Sequence, residues 1–210
     1  MYARTFLSLL FCLTLPFSYV FAAWDKKPEF RWTQFYRWDR HFNVNGIYSN
    51  RFSLSFSYLD GKGRPLFKII PFFEMRRNFD VYLWERRELG VEIGKDILPC
   101  LYLGERIQQV WKNEEVTAPQ KYEKENSVEA KTRLALSRKF FEKDSFNLKG
   151  FIIDEYTYDM NEGMGRRNEV IIGASAPLGK YWEAGLNWRH IDRTSYFDTD
   201  TFEASVTLVF

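Results

Sequence analysis

Two cysteines and two histidines in 210 residues leave little material for redox or metal chemistry. Cys12 falls in an apolar amino-terminal stretch, so Cys100 has no partner in the rest of the chain. An internal disulfide is therefore excluded even in an oxidising compartment, and Cys100 has no second Cys or His at ligand spacing. An excess of one charge is also missing. Thirty Lys and Arg against 28 Asp and Glu give a net charge of +2, and the two signs are intermixed, which gives a nucleic-acid partner no electrostatic footprint. Beyond residue 23 no apolar run approaches the roughly 20 residues a membrane helix needs. A mean hydropathy of −0.40 with 28% charged residues excludes a polytopic helical membrane protein. Linkers rich in Pro or Ser, low-complexity tracts and repeats of 20–50 residues are absent, so one domain is expected.

What is present is aromatic: 20 Phe, 12 Tyr and 7 Trp, or 19% of the chain. Belts of aromatic side chains at two membrane–water interfaces would use them. The first residues supply a further signal. Met1–Arg4 carry one positive charge, residues 5–21 run almost without polar interruption, and Ala22 and Ala23 end the run with small side chains. That is the layout of a secretory signal cut after Ala22. Residues 1–22 are thus read as the signal peptide and 23–210 as the exported domain.

Within that domain the dominant period is two, the signature of a strand with two different faces. Trp182, Ala184, Leu186, Trp188 and His190 alternate with Glu183, Gly185, Asn187 and Arg189. Val128, Ala130, Thr132, Leu134 and Leu136 oppose Glu129, Lys131 and Arg133; Phe52, Leu54, Phe56 and Tyr58 oppose Arg51 and three serines. Phe30, Trp32, Tyr36 and Trp38 oppose Glu29, Arg31, Thr33 and Arg37. Less regular alternation follows Phe79–Ile93, Leu101–Trp111 and Phe146–Tyr158. Leu66–Met75 is apolar on both faces and broken by Pro71. About ten strands result, an even number, as in single-chain bacterial barrels.

The connections sort into two sets. Short turns are expected at 60–64, 94–99, 138–144 and 177–180, and longer polar loops at 39–49, 113–125, 159–166 and 193–200. Short turns on one side and long loops on the other is the expected asymmetry of a transmembrane barrel. The connection placed at 76–78 is too short for a loop of the second set.

Phe202, Ala204, Val206, Leu208 and Phe210 alternate with polar residues to the end of the sequence. This segment resembles the terminal strand of outer-membrane barrels, and the resemblance implies that Val206, Leu208 and Phe210 are read by a barrel-assembly machinery. Over the last third, Glu155, Arg167, Asn168, Gly173 and the Leu186–Arg189 stretch resemble an uncharacterised family of small Gram-negative outer-membrane β-barrel proteins. That resemblance implies a location and no activity.

With the greasy face outward, the charged face fills the lumen. Arg31, Arg37, Arg51, Arg86, Arg106, Arg133, Arg167 and Arg189 interleave there with Glu29, Glu88, Glu92, Glu129, Glu155, Glu169, Glu183 and Glu203. About ten strands place the barrel just above the eight that side chains alone fill. Two uses of such a lumen are open: an ion-pair network that plugs it, or a narrow constricted pore. Trp32, Trp38, Trp111, Trp182 and Trp188 are expected in the interfacial girdles.

Other constellations carry less. His190 with Asp192 and Ser195 is distantly similar to the His-x-Ser segment of lipid A deacylases, but Asp192 stands where the serine is needed. His41 with Asp39 belongs to a different loop. Asp159, Glu162, Asp198 and Asp200 could offer oxygens to Ca²⁺, yet no EF-hand spacing is present. Gly61–Gly63 and Asn161–Gly165 are turn chemistry, without the form of a phosphate loop. No catalytic residue, metal ligand or cofactor is therefore assigned.

The sequence is read as a ten-stranded antiparallel up-and-down barrel of the outer membrane, exported through its signal. Its expected partners are outer-membrane lipid, the assembly machinery and small solutes. A surface enzyme acting on lipid or peptide is the rival within this fold. A soluble periplasmic, lipocalin-like binding barrel is the rival outside it.

Overall fold

The computed structural model describes residues 24–25, 27–39, 46–60, 65–78, 83–116, 121–143, 146–194 and 198–210. The expected signal, the loop holding His41, and Ser195 lie outside them. Ten strands form among the described residues: β1 Glu29–Asp39, β2 Ile47–Leu59, β3 Pro65–Asn78, β4 Leu83–Leu98 and β5 Leu101–Val116. They continue as β6 Lys121–Lys143, β7 Phe146–Asp159, β8 Met164–Leu178, β9 Trp182–Arg193 and β10 Thr199–Val209. Each pairs antiparallel with its neighbour in sequence, and β1 closes on β10 through pairs running from Arg31–Val209 to Asp39–Thr201. The wall is a closed barrel without a sheet edge, and closure is what removes the aggregation hazard of unpaired strands.

The side chains are sorted opposite to those of a soluble barrel. Leu186 is 67% exposed, and Leu89, Ile93, Leu134, Ile152, Ile172, Phe202 and Val206 are also on the outer surface. Glu129 is 0% exposed and Arg106 3%, and most of the buried side chains are polar or charged. A centre of this composition facing an apolar exterior is the arrangement of a transmembrane barrel.

The ladder explains how the strands tilt. Arg31, near the start of β1, pairs with Ser53, then the line runs through Phe72, Gly90, Gln108 and Glu129 to Asp159, the last residue of β7. It thus climbs from the rim that carries the ends of β1 and β10 (the near rim) to the opposite far rim.

The connections correct the sequence reading. β4 continues to Leu98, leaving a turn at Pro99–Cys100, β6 continues to Lys143, and β8 to Leu178 before the Gly179 turn. On the far rim β5 runs to Val116 and β6 starts at Lys121, so the long loop expected at 113–125 shrinks to 117–120. The loop expected at 159–166 becomes a turn at 160–163, and β10 already starts at Thr199. The connection expected at 76–78 is strand instead, since β3 runs to Asn78; the expected strand start near Phe79 lies outside the described residues. Polar composition signals where a strand leaves the lipid, whereas its backbone ladder continues into water. Gly163 (φ 69°) and Gly179 (φ 80°) supply the left-handed residues of two of the turns.

β3 keeps its proline inside the wall. Its ladder to β2 pairs Ser53 with Phe72 and Phe56 with Ile69 and is interrupted between them, at Pro71. Toward β4 the pairing is continuous, Pro71 opposite Val91. The missing N–H thus weakens one ladder only.

Candidate functional site

The lumen is built by inward positions of every strand, and its charges fall into connected groups. On β4–β7, Glu92 accepts from Arg106 Nη2 at 2.6 Å and from the Tyr102 hydroxyl at 2.7 Å. Glu155 accepts from Lys131 at 3.0 Å, pairs with Arg133 at 2.7 Å, and has Arg106 at 3.9 Å. Arg133 also approaches Glu92, 3.6 Å. Beside this group Arg86 binds Glu88 and donates to Glu129 at 2.7 Å, and Gln108 donates to the same Glu129 oxygen at 3.0 Å.

A second group spans β8, β9, β10 and β1. Arg167 pairs with Glu169 at 2.6 Å, Arg189 joins Glu169 to Glu203 (3.0 Å to the latter), and Arg37 binds the other oxygen of Glu203. A third group on β2 and β3 holds Glu74, with Arg51 at 3.8 Å, Arg76 at 3.5 Å and the Ser49 hydroxyl at 2.8 Å. Phe72 joins the first and third: the guanidinium carbons of Arg51 and Arg106 lie 4.2 and 4.9 Å from its ring centroid. Charges of this number are kept out of water only because each meets an opposite charge or a hydrogen-bond donor.

Beneath the charges, toward the near rim, the inward residues become small. Ser53, Ser55 and Ser57 on β2, Ser175 and Gly173 on β8, Gly185 on β9, Ser205 and Thr207 on β10 and Thr33 on β1 are half-buried rather than buried. Thr33 and Thr207 share a 3.0 Å hydrogen bond across the seam. On the β8–β2 side of the lumen the ion pairs therefore give way, toward the near rim, to small residues, most of them bearing hydroxyls. Aromatic rings fit over glycines at the lumen border: Tyr102 covers Gly94 on the neighbouring strand, and a Cβ there would collide with the phenol.

Of the expected lumen residues, Arg37, Arg86, Glu88, Arg106, Glu129, Arg133, Glu155, Arg167, Glu169 and Arg189 lie in these networks. Arg31 does not. It pairs with Glu29 at 2.6 Å, both side chains 45% exposed, at the near rim, where β1 has only begun to enter the wall. Sequence reasoning missed Glu74 and Arg76, which share the inward parity of Phe72 on a strand that looked apolar throughout. Lys131 and Tyr102 were visible as alternating positions, but nothing in the sequence showed that they complete the Glu155 and Glu92 groups.

Trp38, Trp111 and Trp182 face outward and exposed, and Trp32 and Trp188 lie on the same outward parity, half-buried. Trp32 stacks on Phe52, interplanar angle 3°. Val206, Leu208 and Phe210 lie on β10 and just beyond it, where Phe30 and Phe210 exchange two backbone hydrogen bonds of 3.0 Å. His190 accompanies them on the outside: it stacks on Trp188 and meets Asp200 at 3.0 Å, away from every lumen carboxylate. Asp159 is occupied by Arg166 at 2.7 Å and by the backbone N–H of Asn161 and Glu162, which makes it the cap of a turn.

Comparison with known proteins adds solved structures. No family model matches the chain, and no curated protein matches it. The NanC porin is 11% identical with a TM-score of 0.40, over 87% of this chain and 99% of that one. The KdgM porin is 13% identical with a TM-score of 0.40, over 87% and 98%. The translocator domain of the autotransporter NalP from Neisseria meningitidis is 10% identical, TM-score 0.37, over 98% and 97%.

Proposed function

We propose that the protein resides in the outer membrane and forms a narrow passage for small solutes, held shut by its ion-pair network in the conformation described. The observation that carries this reading is the burial of matched charges across the lumen. Glu88, Glu92, Glu129, Glu155 and Arg106 are all 3% exposed or less, inside a barrel whose β8–β2 side is lined below them by small, mostly hydroxyl-bearing residues. A barrel with a purely structural role could fill its centre with apolar side chains at lower desolvation cost. A row of ion pairs, by contrast, can exchange partners and separate around a solute that brings its own charge or hydrogen bonds.

Separating the charges is the gating step in this reading. Arg106 is the hinge of the network, since it touches Glu92, Glu155 and Phe72 at once. Wild-type protein in planar bilayers is expected to show rare or no conductance steps. Arg106→Ala and Arg133→Ala should convert it to frequent steps of larger size. Silence of both variants while they remain folded, judged by heat-modifiable migration in detergent gels, rejects the passage.

A further inference from the structure

Two acidic side chains stand on the lipid-facing side of the wall. Glu105 on β5 lies between the outward residues Leu103 and Ile107, and Asp154 on β7 between Ile152 and Tyr156; both carboxylates are exposed. Trp111, six residues beyond Glu105, marks the far interface, about 15 Å higher for a strand tilted by about 40° and rising about 3.3 Å per residue. Leu101 lies four residues below. Both carboxylates thus sit near the middle of an apolar band about 25 Å tall. An ionisable group at that depth calls for a partner. Among the described residues, Glu105 has only the Thr132 hydroxyl, at 3.0 Å, and Asp154 has no hydrogen bond or ion pair.

Their mutual placement says what the partner is. Glu105 opposes Thr132 of β6, which opposes Tyr156 of β7. Crossing two strands along the climbing ladder raises the level by about 6 Å, and stepping back from Tyr156 to Asp154 lowers it by about 5 Å, for strands about 4.8 Å apart. The carboxylates therefore share one depth within about 1 Å, and lie about 12 Å apart on either side of Thr132. Among the described residues no outward-facing cation stands at that level. Arg87 is opposite Trp111 near the far interface, and Lys95 is opposite Leu103, nearer the other rim.

We infer that the β5–β7 wall is a docking face for a second copy of this chain, with Glu105 of each copy hydrogen-bonded to Asp154 of the other. The inference rests on the transmembrane placement argued above. A two-fold axis along the membrane normal keeps every residue at its own depth, and an isologous interface requires residue i to meet j while j meets i. Two groups of equal depth on either side of a central threonine satisfy that condition. Two carboxyl groups that share one proton form an O–H···O hydrogen bond among the shorter and stronger ones. The neighbouring outward residues, Leu103, Ile107, Leu134 and Ile152, provide the surrounding apolar contact.

The test uses full-length protein carrying Cys12→Ser and Cys100→Ser, with Glu105→Cys and Asp154→Cys made separately and reconstituted into liposomes alone and as an equal mixture. In the mixed dimer one cysteine pair forms while the other carboxyl pair stays intact. Oxidation should give a cross-linked dimer at least fivefold more abundant in the mixture than in either variant alone. Equal yields in all three samples, or none, overturn the proposal. Sedimentation in detergent provides the second reading: the wild type should run as a dimer and Glu105→Leu/Asp154→Leu as a folded monomer. A monomeric wild type, or a double variant that stays dimeric, also overturns it. Conductance and lipid placement are measured independently of these, so failure here is distinguishable from failure of the passage.

Discussion

Arg106 lies on the face of Phe72 inside the barrel, its guanidinium carbon 4.9 Å from the ring centroid. Arg51 approaches the same ring, so one aromatic side chain meets two cations. Phe72→Ala should therefore do more than empty a cavity. The truncation alone costs about 3–5 kcal/mol, and each lost cation–π contact adds about 0.5–2 kcal/mol. Phe72→Leu should recover the packing but not the charge contacts. Urea unfolding from lipid vesicles, comparing the two midpoints, checks the difference.

Glu155 serves three cations, Lys131, Arg133 and Arg106. Glu155→Leu is expected to destabilise the barrel by about 3–5 kcal/mol, because it leaves buried positive charge uncompensated. Adding Lys131→Met should restore part of the loss, giving a clear coupling energy in a double-mutant cycle. Strict additivity of the two substitutions contradicts the network.

Gly94 and Tyr102 form a lock in which the ring occupies the space of a side chain, and the phenol donates to Glu92 at 2.7 Å. Gly94→Ala pushes the ring off and should cost about 1–3 kcal/mol through overpacking. Tyr102→Phe keeps the ring and loses one hydrogen bond to a charged acceptor, about 1.5–3 kcal/mol. Its conductance should rise as Glu92 loosens, whereas Gly94→Ala combined with Tyr102→Phe should add little in stability beyond the single variants. Bilayer recordings and unfolding midpoints check both.

Leu186 tests the orientation of the wall directly. It is 67% exposed between Trp182 and Trp188 on β9. Leu186→Arg should destabilise the protein by about 2–4 kcal/mol in a lipid bilayer, and Leu186→Phe should be tolerated. If the arginine variant is as stable as the wild type in vesicles, the outer face does not meet lipid.

The lumen network joins Arg37, Arg51, Arg76, Arg86, Arg106, Lys131, Arg133, Arg167 and Arg189 to seven glutamates, an excess of two positive charges. A passage opened among them should favour anions. In the Arg133→Ala variant, a potassium chloride gradient across the bilayer should give a reversal potential of anion-selective sign, and Arg133→Glu should shift it toward cations.

Where a strand had one greasy and one charged face, its place could be read from the sequence alone. β9 is the plain example: Trp182, Leu186 and Trp188 on one parity, Glu183 and Arg189 on the other. β3 hid itself because Ile70 and Phe72 point inward while Ile69 and Phe73 point outward, so no alternation appears until Glu74 and Arg76. Strand ends were also hidden, since Asn113–Val116 and Lys121–Glu125 are polar like a loop yet remain paired above the wall. The lumen side chains were readable as a set, but not their partners. Which carboxylate meets which cation depends on the stagger of the strands, and the alternating pattern is the same for every stagger that keeps the parity.

The seam between β1 and β10 joins Arg31 to Val209, whereas every other pair of neighbouring strands is consecutive in sequence. Until that last ladder closes, the other nine pairings can form only an unrolled sheet with two bare margins. Closure of so distant a contact is slow, and an unrolled sheet with greasy outer residues is prone to stick to its neighbours. The interval between pairing the hairpins and zipping the seam is therefore when this chain most needs a chaperoning hand. Substitutions along β10 should show themselves first as delayed maturation rather than as a weakened finished barrel.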